Sequence, residues 1–110
     1  MKYALAERDG ARALQICLSE VPFISSIIIE PEPNQVGHCD LIATFKVRGE
    51  PATIIAEVKS NGQPRLARDA VNQLLRIKTE EPTWYPVFIA PYISPASAGI
   101  CRDAGIRHKP

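Results

Sequence analysis

The chain has 110 residues and a mass of 12.1 kDa, enough for one compact domain with one core and too little for two. Hydrophobic residues make up 45% of it and charged residues 23%, a balance that excludes a disordered chain. Thirteen Lys+Arg against twelve Asp+Glu leave a formal charge of +1, so net charge selects neither a polyanion nor a membrane surface, and only local clusters could.

The N-terminal residues, to about Leu18, read as a helix with Ala4, Ala11, Leu14 and Leu18 on one face. Gly10 weakens its middle, and Pro22 closes it. Phe23-Ile24-Ser25-Ser26-Ile27-Ile28-Ile29 is β-branched and apolar and suits a strand. Pro31-Glu32-Pro33-Asn34-Gln35 is a loop. Two further strands are expected over 40–47 and 53–59, joined by the polar turn Arg48-Gly49-Glu50-Pro51 as an antiparallel hairpin. Pro64 opens a helix whose apolar stripe is Ala67, Ala70, Val71, Leu74 and Leu75. Tyr85-Pro86-Val87-Phe88-Ile89-Ala90 is another strand, and Ser94-Pro95 caps and starts a last helix that stops near Gly105. The order is α-β-β-β-α-β-α. It implies an α/β fold with a small mixed sheet, an antiparallel hairpin, and helices on its faces.

No Cys-x-x-Cys pair links Cys17, Cys39 and Cys101, so neither a zinc site nor a disulfide framework is expected. The N-terminus has no run suited to a signal peptide and no stretch suited to a bilayer span. A cytoplasmic protein without a membrane partner is the expectation.

The candidate chemistry lies on the hairpin. Glu57 and Lys59 are two apart on a strand and project from one face. With Gly49-Glu50 as the hairpin loop, Asp40 faces Lys59 and lies diagonal to Glu57. Two carboxylates and an ammonium so gathered on a central strand would cost several kcal/mol each to bury, and a divalent cation between the carboxylates would offset that cost. Two hard oxygen ligands suit Mg²⁺, with Mn²⁺ as a substitute, and leave positions open for water and a phosphate oxygen. The backbone carbonyl of Val58 is a further candidate ligand, and Lys59 could orient the attacking water or act as a fixed cation. Taken alone, Glu57 and Lys59 are equally a surface ion pair at a strand end.

Asp40, a hairpin, Glu57-Val58-Lys59 and a following helix carrying Gln73 together resemble the PD-(D/E)XK nuclease superfamily. Gly37-His38-Cys39-Asp40, Asn72-Gln73-Leu74 and Ala90-Pro91-Tyr92-Ile93-Ser94-Pro95 resemble its small bacterial members in particular, and the likeness runs from about Ala11 to Ile106. Cys39 stands where the motif's name has proline. The resemblance implies a restriction endonuclease-like fold and phosphodiester hydrolysis in nucleic acid, usually DNA and usually with Mg²⁺. It implies Asp40 and Glu57 as metal ligands, Lys59 as the catalytic lysine, and Gln73 as the helix-borne residue that supports the site. It also implies a strand after the last helix, whereas Ile106-Arg107-His108-Lys109-Pro110 reads as an end without one, leaving an exposed sheet edge. A non-catalytic module on the same fold, binding nucleic acid or protein and perhaps dimerising across that edge, is the alternative.

Other residues are weaker candidates. Glu7 or Glu20 could add a carboxylate to the site. Arg65, Arg68 and Arg76 on one helix, and Arg102, Arg107, His108 and Lys109 near the C-terminus, could neutralise phosphates or simply be solvated. His38 reads as a loop histidine, Cys39 as a buried thiol, and Trp84 and Tyr85 as packing residues.

Overall fold

A computed structural model describes residues 5–31 and 40–109. Among these residues the elements run α1 (Leu5–Ser19), β1 (Ile24–Pro31), β2 (Leu41–Val47), β3 (Glu50–Val58), α2 (Pro64–Glu80), β4 (Tyr85–Ile89), α3 (Pro95–Asp103) and β5 (Arg107–Lys109). The strands form one mixed sheet in the order β1-β2-β3-β4-β5. Strands β1, β2 and β3 pair antiparallel, and β3, β4 and β5 pair parallel. The α/β expectation holds, with one addition. Residues 107–109, read as an end without structure, form a short strand beside β4.

Alternation on the strands divides the core into two layers. Ile55 and Phe88 face α2 and α3, packing with Ala67, Ala70, Val71, Leu74, Ile77 and Cys101. Leu41, Ala56, Val58, Val87 and Ile89 face the other way, toward Ala11 of α1. Leu14 and Leu18 continue that layer over Ala43 and Phe45. Gly10 brings α1 close to the sheet, since a Cβ there would meet Val58 Cγ2 at 3.2 Å. Its cost in helix propensity is thus offset by close packing on the strand that bears the candidate site.

Two helix starts follow from local chemistry. Ser94 Oγ accepts from the Ser97 N–H at 3.1 Å, capping α3 with Pro95 in its first turn. Pro64 opens α2, where the backbone of Gln63 is extended. Leu75, expected in the apolar stripe of α2, is 40% exposed, and Ile77 is buried instead. The stripe is narrow, and a residue one step past Leu74 has already turned toward its edge. No described helix is long and apolar enough to cross a membrane.

Candidate active site

The β2–β3 turn sets the geometry. Val47 pairs with Glu50, so the two-residue loop is Arg48-Gly49 rather than Gly49-Glu50. Both loop residues have positive φ, 52° and 86°, the type I′ pattern whose twist matches a hairpin. Moving the loop by one residue moves the pairing by two. Leu41 lies opposite Ala56, where a Gly49-Glu50 loop would have set it opposite Val58, so Asp40, just before the paired residues, does not face Lys59. An even shift leaves every paired side chain on its expected face, and Asp40, Glu57 and Lys59 stay together at this end of the hairpin.

Asp40 precedes β2 and grips β3 on both sides of Glu57. Its backbone N–H donates to the Ala56 carbonyl at 3.0 Å, and its Oδ2 accepts from the Val58 N–H at 2.8 Å. Glu57 is 7% exposed. Lys59 Nζ stands 3.6 Å from its Oε2, while its Oε1 is buried with no hydrogen-bond partner among the described residues. Burial pushes the Glu57 carboxyl up to about 7, the negative charge of Asp40 adds to the rise, and Lys59 and the Asp40 backbone pull it back only partly. A cation, or a proton, on that open oxygen would stabilise a carboxylate so placed.

Lys59 leaves the sheet just past β3, its backbone N–H donating to the Ile89 carbonyl at 3.0 Å. It lines a cavity of about 170 Å³ with Asp9, Gly10, Ala13, Val58, Ile89, Ala90 and Pro91. Asp9 and Gly10 were not expected near the site. A glycine inside a helical pattern is the signal that could have located them, because it marks a close approach. Gln73 is half-buried on α2, the helix that covers the sheet face of Ile55, with its Oε1 3.4 Å from Arg76 Nη1.

The remaining candidates scatter. Glu20 lies past the end of α1 in a cleft with Ile16, Cys17 and Lys109. Arg65, Arg68 and Arg76 are exposed on α2, Arg102 and Arg107 are exposed, and His108 and Lys109 are half-buried in β5. Trp84 packs on the α2–α3 core. Tyr85, expected to pack, is 60% exposed because the first residue of β4 faces a broad groove beside Phe45, Val47 and Ala52. His38 and Cys39 lie outside the described residues, as does the side chain of Glu7.

No protein-family model matches the chain, and no curated protein is similar to it in sequence. Two solved structures share its fold. The EndoMS–dsDNA2 complex has a TM-score of 0.56 at 10% identity, over 98% of this chain and 46% of that one. EndoMS in its apo form has a TM-score of 0.53 at 10% identity, over 99% and 46%. The chain thus spans just under half the length of the EndoMS chains, and what it shares with them is the fold.

Proposed function

We propose that the chain is a metal-dependent nuclease of the PD-(D/E)XK type that hydrolyses phosphodiester bonds in DNA. The observation that carries this reading is the buried Glu57 carboxylate, 3.6 Å from Lys59 and next to the Val58 N–H that Asp40 accepts from, with one oxygen that has no hydrogen-bond partner among the described residues. A structural ion pair explains Lys59 but not the open Oε1, whose burial without a partner costs free energy. The likeness to EndoMS, one structure of which holds double-stranded DNA, is what supports DNA over other phosphodiesters.

The residues present fit a hard divalent cation. Asp40 and Glu57 supply carboxylate oxygens. The Val58 N–H points at Asp40, and in an extended strand the carbonyl of a residue points to the same side as its N–H, so the Val58 carbonyl adds a neutral oxygen. An all-oxygen set of this kind suits Mg²⁺ or Mn²⁺. When bound, such an ion acidifies water and neutralises charge developing at phosphorus. The chain's own groups do the rest. Lys59, held by its strand beside Glu57, donates to the attacking water or to the developing anionic oxygen. Asp40 stays aimed because the Val58 N–H fixes its other oxygen. Gln73 would support the site from α2.

The test is nicking of supercoiled plasmid with Mn²⁺ by wild type, Asp40→Ala and Lys59→Ala. The reading predicts cleavage by wild type and its loss in both variants, and retained cleavage in Asp40→Ala would sink it. A second reading, a non-catalytic module that binds nucleic acid or a protein, draws on one observation. Among the described residues no group of three or more His, Cys, Asp or Glu side chains gathers as a metal site. It predicts no cleavage by folded wild type, together with self-association in sedimentation.

A further inference from the structure

A second cavity opens beside the one that Lys59 lines. It measures about 270 Å³ and is walled chiefly by Ser60, Asn61, Gln63, Pro91, Tyr92 and Ser94. Ser60 follows Lys59 in the chain, and Pro91 also walls the cavity that Lys59 lines. The two cavities are neighbours.

Tyr92 is 68% exposed, yet the loop that carries it is pinned. Gly62 bridges Ile93, and a Cβ on Gly62 would stand 1.9 Å from the Tyr92 carbonyl oxygen. Only a glycine permits that approach. Asn61 stiffens the facing loop, its Oδ1 accepting from the Gln63 N–H at 3.0 Å. The ordering cost of the backbone that carries this aromatic is therefore met on folding rather than on binding, which favours a preorganised contact.

We propose that Tyr92 binds the substrate strand by stacking on an unpaired nucleobase next to the phosphodiester held at Asp40, Glu57 and Lys59. The inference rests on the nuclease reading and adds its substrate class, a single strand or a frayed duplex end. The cavity is smaller than the roughly 300–1,000 Å³ typical of pockets for drug-sized ligands, which suits one ring system. Ser60 and Gln63 are exposed at its rim, where a hydroxyl and an amide can meet a base edge. Every base offers a π-face, so the contact reads strandedness rather than sequence.

The test measures binding of a labelled single-stranded oligothymidylate by anisotropy in EDTA, for wild type, Tyr92→Ala and Tyr92→Phe, beside Mn²⁺-dependent cleavage of the same strand. Tyr92→Ala should bind about tenfold more weakly and Tyr92→Phe within about twofold of wild type. On an abasic strand of equal length, wild type and Tyr92→Ala should bind alike, because the base that the ring stacks on is gone. Unchanged binding by Tyr92→Ala, or an equal loss on both strands, overturns the stacking role while wild-type cleavage keeps the nuclease reading. A folded wild type that neither binds nor cleaves overturns both.

Discussion

The two ends of β3 carry the same residue type under opposite conditions. At its start, Glu50 and Pro51 are exposed beside the Arg48-Gly49 turn, and a carboxylate there keeps its water. At its end, residues 55–58 are all buried, and Glu57 loses water without gaining a full set of partners. The cause lies in neighbouring elements. The last half of β3 gains a parallel partner in β4 and is covered by α2 on one face and by α1, through Gly10, on the other. In open α/β sheets ligands bind beyond the carboxyl ends of the strands, and Glu57, the one buried charged residue among the described residues, sits at that end. The cost retained at Glu57 is what the proposed site rests on; Glu50, exposed at the other end, carries no such cost.

Substitution sharpens this contrast most strongly in activity. Asp40→Ala, Glu57→Ala and Lys59→Ala should each lower Mn²⁺-dependent plasmid nicking by about a hundredfold or more, while Glu50→Ala leaves it unchanged. Loss in the Glu50 variant would break the comparison. Next in size is the loop clamp beyond the buried end. Gly62→Ala sets a methyl against the Tyr92 carbonyl and should cost about 3 kcal/mol in urea unfolding.

The raised Glu57 carboxyl gives a pH signature in the metal-free protein. The folded carboxyl titrates near 7 against 4.5 for the unfolded chain, so between these values the folded state holds a proton that the unfolded state has lost. Its contribution is fully present below 4.5, falls as pH rises through about 7, and then levels off. The loss is on the order of 3 kcal/mol. Glu57→Gln should flatten that slope in EDTA and stabilise the fold above pH 7. Smallest is the cap of α3. Ser94→Ala removes the acceptor of the Ser97 N–H and should lower stability by about 1 kcal/mol, read as a shift in the urea midpoint at unchanged slope.

Most of this architecture was legible because pattern and punctuation agreed. Pro64 and Ser94-Pro95 marked two helix starts, and β-branched runs marked the strands. The hairpin register was not, although the residues held the clue. A type I′ turn favours glycine at its second central position, which puts Arg48 first and Gly49 second. Placing the glycine first slipped the expected pairing by two residues, which leaves the paired side chains on their faces. Arg107-His108-Lys109 has no apolar signal, and only the free edge of β4 makes it a strand. Tyr92 and Gly62 lie far apart in sequence, and their contact follows from the parallel pairing of β3 with β4. The constellation Asp40, Glu57 and Lys59 was legible as residues, whereas the open oxygen on Glu57 required the fold.

The most direct test of the claim that this open oxygen marks a cation site is Mn²⁺ binding at pH 8, followed by electron paramagnetic resonance. The account predicts one site in the wild type that is lost in Asp40→Ala and in Glu57→Gln and kept in Glu50→Gln. Equal binding in all four proteins, or none in the folded wild type, would contradict it.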